Sequence, residues 1–237
     1  MGRGWVHGHR VVAAAQKGKV FTKIAKEIAV AVKMGGSDPD SNPRLRLALR
    51  DAQKNSMPKD TIERAIKRGS GSTDESELME MLYEGFGPHK VPVIVEALTD
   101  NKNRTVQDLR SIFQKGGGQL GEQGSVQWMF DRVASVIAKA PGDQAPEDPE
   151  EVAIMAGANE VQTGEDGELI FFGDMGDLDA IQKYLSEEKW DIQKAELIYK
   201  AKNPIEVADD SEEALQKFLE RVDDHDDVKR LHLGIEF

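Results

Sequence analysis

Apolar positions between residues 19 and 34 recur every three or four places, at Phe21, Ile24, Ile28 and Val32, which predicts an amphipathic helix. Gly35-Gly36 supplies its stop. Asn42-Pro43 reads as an N-cap followed by proline in the first turn of a second helix, 44–54, with Leu45, Leu49 and Ala52 inward. A third helix begins near Ser56-Met57-Pro58, buries Ile62 and Ile66 and stops at Gly69. Short helices with short connections predict a small bundle, and the Gly/Ser/Asp stretch 69–76 reads as a linker.

Beyond residue 76 the period changes. The pattern predicts strands at 91–98 and 125–131, the latter with Val126, Trp128 and Phe130 alternating, and 133–138 as its continuation. Further strands are expected at 160–163, 169–172, 195–200 and 231–237. Helices fall at 104–115, at 150–156, around Leu178, Ile181 and Leu185, and around Leu215, Phe218, Leu219 and Val222. Two split βαββαβ units explain this order if one is inserted into the other, the inner one spanning about 133–200. One larger mixed sheet counts equally well.

Charge alters the picture more than composition does. The chain of 237 residues has a formal net charge of −12, yet up to Arg68 it holds 15 Lys+Arg against 6 Asp+Glu, and the remainder 16 against 37. A +9 end joined to a −21 remainder suits one half that seeks polyanions and another that repels them. There is no cysteine, which excludes disulfide scaffolds, thiolate metal sites and thiol nucleophiles. No apolar run reaches the roughly 18 residues of a membrane span. A cytoplasmic chain without membrane contact is expected.

Most apparent motifs dissolve on inspection. Gly116-Gly117-Gly118-Gln119-Leu120-Gly121 matches the dinucleotide string but follows a helix and precedes a strand, the reverse of what a pyrophosphate site needs. Asp38-Pro39-Asp40-Ser41-Asn42 opens like a calcium loop but has Pro43 and Leu49 where Gly and Glu are required. His7, His9, His89 and His232 lack companions, and Asp223-Asp224-His225-Asp226-Asp227 reads as a solvated acidic turn. Neither a metal nor another cofactor is expected. What remains is a stripe on the first helix: Lys19, Lys23, Lys26 and Lys33 share one face, with only Glu27 nearby to offset them. Arg10, Lys17, Arg44, Arg46 and Arg50 join it. Ordinary exposed faces mix signs, so this one is assigned to polyanion contact.

The segments Lys17-Gly18-Lys19-Val20-Phe21-Thr22-Lys23, Gly35 to Arg46, Met57 to Lys67, Tyr83-Glu84-Gly85-Phe86-Gly87-Pro88, Leu98 to Thr105 and Gly116 to Val126 together resemble the YebC/PmpR family, to which the mitochondrial translational activator of cytochrome c oxidase also belongs. The resemblance implies an α+β protein: an N-terminal helical bundle followed by two ferredoxin-like α/β domains, one inserted into the other. Its parts would be 1–76, 77–132 with 201–237, and 133–200. It also implies a non-enzymatic regulator of gene expression, and it adds Lys59 of Met57-Pro58-Lys59 to the candidate contacts. The opening Gly2-Arg3-Gly4-Trp5 departs from the family's usual G-H-S-K-W.

Two partners fit. Contact with rRNA or tRNA backbones, on the ribosome, needs only shape and a basic face; the resemblance ties this to easing synthesis of proline-rich stretches. DNA readout needs side chains reaching base edges, typically from a dimeric recognition helix, and a −21 remainder disfavours wrapping DNA. The acidic α/β half also suits a protein partner. The contrasting class is an enzyme on phosphorylated substrates.

Overall fold

The computed structural model describes residues 14–73, 76–143, 146–164, 167–207 and 209–235. It opens with three helices, α1 (Ala14–Gly35), α2 (Pro43–Lys54) and α3 (Lys59–Gly69). One side chain ties the first two together. The Asn42 oxygen caps α2 by accepting from the Leu45 amide at 3.0 Å, while its nitrogen donates to the carbonyls of Ala31 and Gly36, both at 2.8 Å. The capping reading of the Asp38 loop holds: Asp38 accepts from the Asp40 amide and the Ser41 hydroxyl inside its own turn. Ile28, Ala31, Val32, Leu45, Ala48, Ala52, Met57 and Ala65 form the bundle core, so Met57 anchors the turn before α3.

Then follow β1 (Met79–Phe86), β2 (Pro92–Thr99), α4 (Lys102–Lys115), β3 (Gln119–Leu120), β4 (Phe130–Lys139), α5 (Pro149–Ala156), β5 (Glu160–Thr163), β6 (Glu168–Asp174), α6 (Leu178–Glu187), β7 (Asp191–Ala201), α7 (Asp209–Asp223) and β8 (Val228–Leu233). The chain divides into two compact units, Met1–Met129 with Asn203–Phe237, and Phe130–Lys202. The second unit is a βαββαβ fold with strand order β5-β6-β4-β7, every neighbouring pair antiparallel. β4 and β5 therefore run parallel on either side of β6, which is the split-βαβ arrangement. Its core gathers Val136, Phe171, Ile181, Leu185 and Trp190, with Phe171 and Trp190 edge to face at 5.5 Å.

The first unit has an equivalent antiparallel sheet, β3-β1-β2-β8. It begins with a hairpin, because β1 is a strand that the hydrophobic pattern does not mark. Tyr83, Leu109, Phe113, Leu215, Phe218 and Val222 join Val91, Val93 and Val95 in its core, and Phe113 meets Phe218 edge to face at 4.9 Å. Gly117 ends α4 at φ +79°, and a Cβ on Gly118 would lie 2.4 Å from the Phe86 carbonyl. The glycine string is thus a helix stop packed against the first hairpin, as its position after a helix implied.

One expected strand is displaced. Residues 125–129 do not pair; Gln127–Met129 form a helical turn, and the strand starts at Phe130. The cause is Glu84. Its buried carboxylate accepts the amides of Gly124, Val126 and Gln127 at 2.7, 2.9 and 2.8 Å, which takes those donors away from any ladder. Trp128 consequently points outward, 69% exposed.

Packing inside the bundle has a sharp test. A Cβ on Gly69 would sit 2.3 Å from the Ala29 carbonyl and 2.8 Å from the Val32 Cβ. Gly69→Ala must push α3 off α1 and should cost about 1–3 kcal/mol of stability by denaturant unfolding, as overpacking does. An unchanged midpoint would mean that α1 and α3 are less closely packed than described.

Candidate nucleic-acid interface

The helix α1 turns Ile28 and Val32 into the bundle, with Phe21 and Ile24 packed alongside, as its period requires. Its opposite face meets protein too. Lys19 Nζ donates to Asp224 Oδ2 at 2.9 Å, and Lys23 Nζ donates to Asp223 Oδ1 at 3.0 Å and to the Asp223 carbonyl. Lys26 pairs with Asp227 and donates to the Asp226 carbonyl at 3.0 Å. The three lysine side chains sink in that order, 42%, 23% and 11% exposed. Lys33 pairs with Glu77. The acids that offset Lys19, Lys23 and Lys26 therefore come from some 200 residues downstream, beyond the reach of any local pattern.

Arg44 belongs to a second set of pairs. Its Nε lies 2.7 Å from Glu27 and its Nη2 2.6 Å from Glu80, while Lys229 approaches Glu27 at 3.0 Å. Burial alone would lower the Arg44 pKa, but the bonds to Glu27 and Glu80 outweigh it and push it up. Burial would raise that of Glu27, and Arg44 with Lys229 bring it down instead. Ala29, Val30, Leu78 and Leu98 add a small apolar cluster beneath these pairs.

Three candidates lie elsewhere. On α2, Arg46, Arg50 and Lys54 follow one another at four-residue intervals, opposite the buried Leu45, Ala48 and Ala52. Arg46 is exposed and donates to the carbonyls of Pro39 and Asp40 at 3.1 and 2.8 Å. Lys59 is exposed at the start of α3. Among the described residues, neither Arg46 nor Lys59 forms an ion pair. Arg10 lies outside the described residues, as does the side chain of Lys17.

Asp227 is the residue that sequence reasoning misplaced most. Expected in a solvated turn, it is 2% exposed. Its carboxylate receives Lys26, the Thr105 hydroxyl at 2.7 Å, Arg104 Nη2 at 3.0 Å and the Thr99 hydroxyl at 3.3 Å. Its amide donates to His225 Nδ1 at 3.1 Å, and the other His225 nitrogen faces Asp108 at 3.3 Å. Among the described residues, no group of three or more His, Asp or Glu side chains is placed to hold a metal ion, and no helix is long and apolar enough to cross a membrane.

Comparison with known proteins fits this architecture. A model of the TACO1/YebC N-terminal domain matches residues 5–72, and a model of the TACO1/YebC second and third domain matches residues 78–235. The chain belongs to the TACO1/YebC family. A probable transcriptional regulatory protein of Bdellovibrio bacteriovorus is 49% identical across 99% of this chain and 100% of its own. One from Pseudomonas fluorescens is 45% identical, with 99% of both chains covered. Among solved structures, a conserved hypothetical protein from Aquifex aeolicus superposes with a TM-score of 0.83 at 36% identity, over 94% of this chain and 91% of that one.

In this TACO1/YebC chain the signal that could have exposed Asp227 is weak. Thr99 and Thr105 flank a helix start, and five polar residues in a row hide which one turns inward. Burial would push the Asp227 carboxyl up, yet the bonds from Lys26, Thr105 and Arg104 hold it well below the ordinary carboxylate range. Its contribution to stability is therefore complete above that range and is lost as pH falls through the folded value. Asp227→Asn should cost on the order of 3–5 kcal/mol near neutral pH, since it strands Lys26 in a buried site. Thermal melts from about pH 7 down to about pH 2 should show the gap between wild type and variant closing with acid. A gap independent of pH would show that packing, not charge, sets the cost.

Proposed function

We propose that this chain is a non-enzymatic, nucleic-acid-binding regulator of gene expression that acts on the ribosome in translation, through contact with rRNA or tRNA backbones, and eases synthesis of proline-rich stretches. The three-part division into 1–76, 77–132 with 201–237, and 133–200 belongs to this reading. The observation that carries it is the unequal use of the basic helices. Both faces of α1 are spent, one on the bundle and one on acids. By contrast α2 turns Leu45, Ala48 and Ala52 into the bundle and keeps Arg46 exposed on its opposite face, with Lys59 exposed on the next helix. A basic face with no groove-reading geometry suits backbone contact, which needs shape and charge alone. Arg10 and Lys17 belong to the same reading as further candidate contacts. A protein partner at the acidic α/β half is compatible with the same reading. The relatives, probable transcriptional regulatory proteins, favour a second reading, a DNA-binding transcriptional regulator.

Replacing Arg46, Arg50 and Lys59 together by Glu should leave the fold intact by circular dichroism, because none of the three is buried. Affinity for ribosomes and for RNA should fall by orders of magnitude at low salt and by less at high salt. The log–log salt slope should shrink by about 0.7 for each lost single-strand contact. Sedimentation with ribosomes, with and without RNase, and parallel titrations with duplex DNA separate the two partners. Unchanged binding by the folded variant would refute the assignment of this face.

A further inference from the structure

Resting on the reading just given, we propose that the acidic 223–227 turn is a built-in competitor for polyanions at the lysines of α1. It occupies Lys19 and Lys23 as phosphates would, and yields them when a polyanion binds. Three observations carry the idea. First, each lysine meets its own carboxylate of the turn, Lys19 with Asp224, Lys23 with Asp223 and Lys26 with Asp227. Secondly, the acids are badly placed for their own helix. Asp223 is the last residue of α7 and Asp224 follows it, at the end where the helix dipole is negative and cations are favoured. Lys23 answers that end directly by donating to the Asp223 carbonyl. The lysines thus offset charge held at an unfavourable pole.

Thirdly, the contact is graded. Lys26 and Asp227 are nearly enclosed, and Asp227 is fixed by Thr105 and Arg104. Lys19 and Asp224 are 42% and 53% exposed, and Lys23 and Asp223 are 23% and 36% exposed. The exposed Lys19–Asp224 pair contributes little and is screened by salt, and the half-buried Lys23–Asp223 pair stands between it and the enclosed one. The outer two pairs can part while the inner one stays as a pivot. Lys19 and Lys23, four residues apart on α1, would then present two charges on one face. A phosphodiester backbone that takes them gains counterion release, and the freed acids, being of like sign, stay clear of it.

The test uses full-length protein and an oligouridylate of about 20 nucleotides across a salt series. Asp223→Asn with Asp224→Asn should bind several-fold more tightly than wild type at low salt. Both proteins end on the same two phosphate contacts, so the gain should appear in affinity with the log–log slope little changed. Adding Lys19→Gln and Lys23→Gln should abolish that gain and lower the slope by about 1.4, two contacts at about 0.7 each. Thermal melts confirm that Asp227 still holds the fold, and Asp224→Asn alone should give a smaller gain of the same sign. An unchanged affinity in the double Asn variant overturns the proposal. So does an equal gain in the variant that also lacks both lysines, since only overall charge would then be at work. If the Arg46, Arg50 and Lys59 variant loses binding while the Asn variant is unaffected, the function stands and the competitor falls. If neither wild type nor the Asn variant binds oligouridylate or ribosomes, both fall.

Discussion

Four donors converge on the Asp227 carboxylate, and they come from three separate elements: Lys26 of α1, Thr99 at the end of β2, and Arg104 and Thr105 in the first turns of α4. Its own backbone adds a fifth tie, since its carbonyl accepts the Leu98 amide at 2.8 Å. An ion buried this deeply is costly unless every lone pair is satisfied. Satisfying it fixes the helical bundle, the central strand β2, the start of α4 and the approach to β8 at one point. The other bridging pairs, Arg44 with Glu80, Lys33 with Glu77 and Lys229 with Glu27, then close around a position already set.

This arrangement gives the charge asymmetry a different meaning. A basic beginning and an acidic remainder read most simply as two surfaces turned to different partners. In the folded chain, part of each is turned to the other. The lysine stripe and the acidic turn are complementary, so much of the +9 is neutralised from within. Arg46 on α2 and Lys59 on α3, by contrast, are exposed.

The elements legible in the sequence are those whose cause is local. Asn42-Pro43 announced its cap, the spacing of Phe21, Ile24, Ile28 and Val32 announced α1, and the glycines after α4 announced a stop. Features caused by distant residues were not legible. The 125–129 segment alternates like a strand, and nothing nearby says that Glu84, 40 residues away, will take its amides. β1 escaped because Glu80 and Glu84 interrupt its apolar pattern, and both have structural partners, Arg44 and the 124–127 loop. The stripe on α1 was legible as a pattern, but the partners of Lys19, Lys23 and Lys26, some 200 positions later, were not.

That separation also has a consequence in time. The second unit is threaded between β3 and α7 in sequence, so the acids that match Lys19, Lys23 and Lys26 are made some 200 residues after them. At the usual 5–20 residues per second of synthesis, α1 waits on the order of 10–40 s for them. Contacts this distant in sequence are also slow to form once the chain is free. Through that interval the helix carries bare lysines beside the polyanion nearest every nascent chain, the RNA of the ribosome that is making it.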